Sequence, residues 1–279
     1  MQLAITSLNS GSNGNCYYIG NEQEAVLVDV GISCRETERR MQRLGLSMRQ
    51  VKAIFVSHEH SDHIRGIPVL ARKYKLPVYI TTDTLYRSRM DLSGVEVLSF
   101  TGYVPVQVGA LSVTGFPKFH DAADPHSFVV EGNGVKIGVF TDIGAPCDHV
   151  IRHFQQCHAA FLETNYDEGM LEQSFYPYYL KRRISGNHGH LSNKQALELF
   201  VAHKPAFMSH VFLSHLSKDN NCPKHVKSLF DVCADGTEVV VASRFEETPV
   251  YNIRCQGAIF GRTLTVSDIS PAGEQLSLF

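Results

Sequence analysis

The sequence predicts an α/β protein in which two packed β-sheets are covered by helices. Three observations carry that expectation: short β-branched runs recur along the chain, they dominate its first half as a meander, and helical patterns interleave throughout. Such alternation suits sheet layers faced by helices. Leu3–Leu8, Cys16–Ile19 and Ala25–Val30 read as strands, the first two joined by the turn-rich stretch Asn9–Asn15. Arg35–Leu44 reads as a helix that stops at Gly45. Ala53–Ser57 is a short buried strand, and Ile64–Tyr74 is a helix with apolar spacing at Ile64, Ile67, Leu70 and Ala71. Further strands are expected at Val78–Thr81, Val95–Phe100, Leu111–Phe116, Ser127–Val130, Val135–Thr141, Ala159–Glu163, Met208–Leu213 and Val239–Ala242. Helices are expected at Cys147–Gln156, Asn193–His203 and Pro223–Ala234. No repeat of solenoid period is present. Residues 1–260 read as one domain and 261–279, rich in Ser, Thr, Pro and Gly, as a tail.

Composition narrows the class of function. The 279 residues are 43% hydrophobic and 19% charged, values of a folded, water-soluble chain with ample material for a core. No apolar run approaches the roughly eighteen residues of a membrane span, and the first residues lack the basic and apolar segments of an export signal. The seven cysteines are odd in number and form no Cys-x-x-Cys pair, which points to thiols in a reducing cytoplasm. The formal charge of −2 provides no global field for a polyanion, so nucleic acid would have to be held by local groups or by metal. The count of 14 histidines stands out.

Three of those histidines fall within Ser57-His58-Glu59-His60-Ser61-Asp62-His63, directly after a buried strand. Neutral imidazoles and a carboxylate are what borderline and hard divalent ions bind. A tight loop can aim His58 and His60 at one ion, while Asp62 and His63 at the helix start reach a second. A solvated loop with Asp62 as helix cap is the plain alternative. Scattered histidines would allow it, but His-x-His-x-Asp-His behind a buried strand is a specific pattern.

This hexad resembles the signature of the metallo-β-lactamase fold superfamily, whose members carry two metals at the edge of a four-layer αβ/βα sandwich: two mixed β-sheets flanked by helices. The resemblance implies the rest of a ligand set. Asp29 closes the strand AVLVD and matches an acidic residue that orients the site. His120, in Gly115–Asp121, matches the third histidine ligand; Asp142, in Val139–Gly144, matches the carboxylate bridging both ions; His215, in Phe212–Ser217, matches the last histidine. The implied sites are His58, His60 and His120 on one ion, Asp62, His63 and His215 on the other, and Asp142 between. His126 and His210 are rivals for the two distal positions, but neither lies at a strand end.

The resemblance also narrows the branch. No export signal and a carboxylate rather than cysteine at 142 disfavour β-lactamases, and the chain between Asp142 and His215 is too short for nucleases with an inserted lobe. Ser185–Asn193 resembles a segment that phosphodiesterase relatives place before the last ligand, whose histidine acts on the scissile phosphate; that role maps to His190. With Ser10–Asn15, His120–Pro125, Tyr179–Ile184 and Leu216–Asn221, the chain over residues 3–245 looks like the YycJ/WalJ-type metallohydrolases, regarded as 5′→3′ DNA exonucleases. Tyr166 stands where relatives often carry histidine.

The expectation is therefore a cytoplasmic hydrolase with two divalent ions, zinc or manganese, cleaving phosphodiester bonds of nucleic acid, DNA favoured. His190, Asp62 and Asp142 are the expected catalytic residues; Lys181, Arg182, Arg183, Lys218 and Asn220 are the expected substrate contacts. A thioester or lactone hydrolase on the same site is the alternative. The final Gln275-Leu276-Ser277-Leu278-Phe279 resembles the peptide by which bacterial replication and repair proteins dock on the sliding clamp. That resemblance implies clamp binding through Gln275, Leu276, Leu278 and Phe279.

Overall fold

Strands β1 (Gln2–Asn9), β2 (Cys16–Gly20) and β3 (Ala25–Val28) open the chain as an antiparallel meander, and helix α1 (Cys34–Arg43) follows. Ser33 caps α1 by accepting the Glu36 N–H. Next come β4 (Val51–Phe55), α2 (Ser61–Ile64), α3 (Ile67–Tyr74), β5 (Val78–Tyr79), α4 (Thr82–Ser88) and β6 (Val97–Leu98). A second meander follows: β7 (Val106–Val108), β8 (Leu111–Pro117), β9 (His126–Gly132) and β10 (Val135–Phe140). Then α5 (Asp148–Phe154), β11 (Ala159–Glu163), α6 (Glu168–Gln173), α7 (Tyr178–Ser185), α8 (Asn193–His203), β12 (His210–Ser214), α9 (Pro223–Asp231), β13 (Glu238–Val241) and β14 (Tyr251–Arg254) complete it. This is a computed structural model that describes residues 2–255. The expected 261–279 tail and its four clamp-motif positions lie outside the described residues.

The strands form two seven-stranded sheets, ordered β14-β1-β2-β3-β4-β5-β6 and β13-β12-β11-β10-β9-β8-β7. Each changes from antiparallel to parallel pairing, at β3/β4 in the first sheet and at β10/β11 in the second. The fold is the expected one, two mixed sheets flanked by helices, because three separate apolar layers hold it together. Ile5, Val28, Phe55, Phe128, Phe161 and Phe212 pack between the sheets. Leu27, Ile54, Ile67 and Leu70 pack the first sheet against its helices, and Phe140, Leu162, Phe200 and Leu213 do so for the second. Chain neighbours such as Ile54 and Phe55 therefore point into different layers, as the two-residue strand period requires. Strands buried on both faces read as continuous apolar runs, and β3 and β11 are buried throughout.

The expected helix Ile64–Tyr74 is broken in two. Gly66 donates its N–H to Val30 O (2.8 Å), and a Cβ there would lie 2.0 Å from Ile32 O. The helix interrupts where the chain must touch the loop that follows β3. Among the described residues, no helix is long and apolar enough to cross a membrane.

Candidate metal centre

The loops that leave the carboxyl ends of β3, β4, β8, β10, β11 and β12 converge on one end of the sandwich. In open α/β sheets ligands bind beyond the carboxyl ends of the strands, where side chains from separate loops can meet. Three strand-end residues, Asp29 (φ 58°), Asp142 (φ 54°) and His215 (φ 58°), adopt the left-handed backbone that non-glycine residues rarely take. Such conformations persist where the surroundings hold them, and functional sites are where they gather.

The hexad is held from beneath by Asp29. This buried carboxylate accepts from Ser57 N (2.8 Å), from Ser57 Oγ (2.7 Å) and from His63 Nδ1 (2.7 Å). With Nδ1 as donor to Asp29, His63 Nε2 faces the centre, 3.0 Å from Asp142 Oδ2 and 3.6 Å from Asp62 Oδ2. On the other side, His60 Nδ1 lies 3.1 Å from His58 Nε2 and 3.3 Å from His120 Nε2. These spacings are close to the edge, about 3.3 Å, of a tetrahedron with metal–nitrogen bonds of about 2.05 Å. His120 Nδ1 donates to Gly189 O (3.0 Å), which fixes which nitrogen faces inward. His215 Nδ1 meets Glu163 Oε1 (3.1 Å), and its Nε2 lies 3.5 Å from Asp62 Oδ2.

Two buried atoms at the middle, Asp142 Oδ2 and His215 Nε2, meet only other members of the cluster, His63 Nε2 at 3.0 Å and Asp62 Oδ2 at 3.5 Å, and neither has a hydrogen bond of good geometry. Orphaned polar atoms are costly in a protein interior unless something else binds them. The donors group as His58, His60 and His120; as Asp62, His63 and His215; and with Asp142 shared beside His58 and His63. Neutral imidazole, carboxylate and unpartnered lone pairs together fit divalent metal ions.

The electrostatics agree. Burial pushes the His120 imidazole down to about 3 and His58 well below its usual value, so both are neutral donors. Burial would also depress His63, but Asp142, Asp29 and Asp62 outweigh it and raise it to about 10 in the metal-free chain. His215 is likewise raised, by Asp142, Asp62 and Glu163 against its burial. Asp142 stays ionised far below the carboxylate range: burial opposes this, and His215, His63 and His58 overcome it.

Residues without an assignment from sequence complete the centre. Glu163, fully buried at the end of β11, binds His190 Nδ1 (2.8 Å) and His215 Nδ1, and accepts from Ile143 N (2.6 Å). Its sequence signal is an acidic residue closing a buried apolar strand, the same as at Asp29. Asn15 Nδ2 donates to Asp62 Oδ2 (3.2 Å), and Ser10 Oγ accepts the His215 N–H (2.7 Å). The Ser10–Asn15 turn thus braces the ligand loops. Asn165 donates to His215 O (2.8 Å).

The remaining expected residues fall as follows. His190 is partly exposed, with Nδ1 3.6 Å from Asp142 Oδ1. Lys181, Arg182 and Arg183 lie on α7, where Arg183 pairs with Asp121 (2.6 Å) next to His120. Lys218 is exposed on the loop after His215. Asn220, expected as a substrate contact, is 1% exposed and turns its amide to Ser217 Oγ, so its burial leaves no face for a polymer. The rivals stand apart: His126 Nδ1 faces Asp124 O, and His210 pairs with Glu238 at the start of β12.

This fold and this donor set define a metal-dependent hydrolase. The chain belongs to the metallo-β-lactamase superfamily: the family profile described as "Beta-lactamase superfamily domain" matches residues 24–215. It is 36% identical over 225 residues to Exodeoxyribonuclease YycJ of Bacillus anthracis, spanning 79% of this chain and 85% of that protein. Exodeoxyribonuclease WalJ of Streptococcus pneumoniae is 30% identical over 221 residues, 77% of this chain and 81% of that one. Within the superfamily the chain is of the YycJ/WalJ type. The metallo-β-lactamase fold protein YhfI from Bacillus subtilis shares the fold at a TM-score of 0.70 and 15% identity, covering 90% of this chain and 100% of that one.

Proposed function

We propose that this protein is a cytoplasmic nuclease with two divalent ions, zinc or manganese, that removes nucleotides from DNA at the 5′ end during replication or repair. The observation that carries the reading is His190, held by Glu163 at the open side of the paired donor clusters. Phosphodiester cleavage expels a poor alkoxide leaving group and needs a proton donor, whereas a thiolate departs without one. The two relatives named exodeoxyribonucleases support the same chemistry.

In this reading His58, His60 and His120 would hold one ion and Asp62, His63 and His215 the other, with Asp142 available to both. Bound ions would neutralise phosphate charge and acidify water at the site. The chain's own work is positioning and proton transfer. Asp29 fixes the His63 tautomer, Glu163 orients His190 and His215, and His190 gives a proton to the departing oxygen. Lys181, Arg182, Arg183 and Lys218 engage backbone phosphates.

End-labelled single- and double-stranded DNA and RNA, incubated with metal-reconstituted protein, test the assignment. Mononucleotides released from the 5′ end of DNA are expected, with Asp142→Ala inactive and His190→Ala slowed by roughly 10²–10⁴-fold. Cleavage of a thioester but not of bis(p-nitrophenyl) phosphate would sink it. The terminal Gln275-Leu276-Ser277-Leu278-Phe279 would dock on the sliding clamp. Deleting 275–279 should abolish clamp pull-down and leave DNA hydrolysis intact; unchanged pull-down ends that part of the reading.

A further inference from the structure

Between α6 and α8 the chain carries Phe175-Tyr176-Pro177-Tyr178-Tyr179, followed after Leu180 by three cations, Lys181, Arg182 and Arg183. Tyr176 is used structurally: it is half-buried and its hydroxyl donates to Asp219 (3.0 Å). The other rings are not. Phe175 is fully exposed, and Tyr178 and Tyr179 are about three-quarters exposed. Helix α7 buries none of its residues, so no apolar stripe explains its aromatic content. Three large rings left in water within five positions mark a surface built to be covered.

The place and charge of that surface select its occupant. Arg183 binds Asp121, whose other oxygen is 3.4 Å from His120 Nε2. The turn that leaves α7 supplies Gly189 O to His120 and carries His190. The helix is therefore one wall of the approach to the metal centre. Arg182 sits 6.0 Å from the Tyr178 ring, and Tyr178, Lys181 and Arg182 face a cavity of about 520 Å³ that Glu168 and Glu172 also line, with Lys181 donating to Glu172 O. Exposed rings interleaved with cations beside a phosphate-cleaving centre match one ligand: a strand whose bases are unpaired and can stack while its phosphates meet the cations.

We propose that Phe175, Tyr178 and Tyr179 form a stacking platform that binds unpaired bases of the substrate strand beside the metal centre. The inference rests on the nucleic-acid reading above and deepens it: the enzyme takes its substrate as single strand, and base-paired ends must fray to engage. Affinity then depends on the bases themselves as well as on the backbone.

The test compares fluorescence anisotropy of the full-length, metal-loaded protein with two fluorescein-labelled phosphorothioate 12-mers that resist cleavage, one bearing bases and one abasic throughout. Wild type should bind the base-bearing strand at least tenfold more tightly than the abasic one. The triple variant Phe175→Ala/Tyr178→Ala/Tyr179→Ala should lose at least tenfold for the base-bearing strand and little for the abasic strand. Tyr178→Phe/Tyr179→Phe, which keeps the rings, should bind as wild type. Thermal melting checks that the variants fold. Equal loss for both strands, or no loss, overturns the platform, as does a change of oligomeric state with DNA binding intact, which would assign the rings to a second protein copy. Wild type that binds neither strand overturns the nucleic-acid reading itself; wild type that binds both equally overturns only the platform.

Discussion

Glu163 joins two histidines with different tasks, His190 at the open side and His215 among the ligands, so its removal should be felt at both. Glu163→Gln keeps the shape and removes the charge; kcat should fall at least tenfold while bound metal drops only modestly, read by elemental analysis. His190→Ala should cost roughly 10²–10⁴-fold for DNA, the range of general-acid catalysis, and far less for bis(p-nitrophenyl) phosphate, whose leaving group needs no proton. An equal loss on both substrates would remove His190 from that role. Protonation also governs metal loading. His63, raised to about 10, holds a proton at neutral pH that a metal must expel, so affinity rises with pH. Calorimetry in two buffers of different protonation enthalpy should give different apparent heats; identical heats contradict it. The stability linkage has the opposite sense. His63, with its folded value above the usual 6.5, stabilises the metal-free chain below about pH 6.5 and loses that contribution as pH rises through 10. Glu163, lowered to about 2 because His190 and His215 outweigh its burial, contributes above its usual 4.5 and loses it as pH falls through 2. At this scale the hexad was legible because three imidazoles within six positions are a local signal. Glu163 was not, because its partners lie 27 and 52 residues away and a lone acidic residue acquires meaning only from them.

Elements set the site through close approach. A Cβ on Gly31 would lie 1.6 Å from Asp62 O, and one on Gly144 would lie 2.2 Å from Asn187 O. Both obstacles are backbone, so neither can step aside. Gly31→Ala should destabilise the protein by roughly 2 kcal/mol or more and reduce metal content, as read by urea melts and elemental analysis. Wild-type stability with full metal would show that the loop tolerates displacement. The long strands and the helices α1, α8 and α9 could be read directly, since apolar period and start signals agree there: Ser33 caps α1, Ser192 and Gln195 form a capping box at α8, and Pro223 opens α9. The helices α4, α6 and α7 escaped, the first two being short and α7 burying no stripe that would announce a period. The two-residue strands β5 and β6 are too brief for alternation to show in full, and β14 owes its existence to β1, far away in sequence.

Across the whole molecule the donor clusters bridge the sheets: His58, His60, Asp62 and His63 belong to loops of the first, and His120, Asp142 and His215 to loops of the second. Metal binding should therefore hold the sandwich shut. With free metal about a thousandfold above its dissociation constant the gain is about 4 kcal/mol, a melting shift on the order of 10 °C that a chelator should erase. A melting curve indifferent to chelation, in protein verified to carry metal beforehand, would mean the sheets close without it. The two-layer architecture could be foreseen from patterning because each sheet is assembled almost wholly from one stretch of chain. The exception is β14, which returns to pair antiparallel with β1, Gln2 opposite Arg254. While a ribosome is still adding the second sheet, the first must wait with β1 as a bare margin, its backbone amides and carbonyls open to mispairing with other nascent chains. Final locking of this enzyme is thus deferred until translation has passed Arg254.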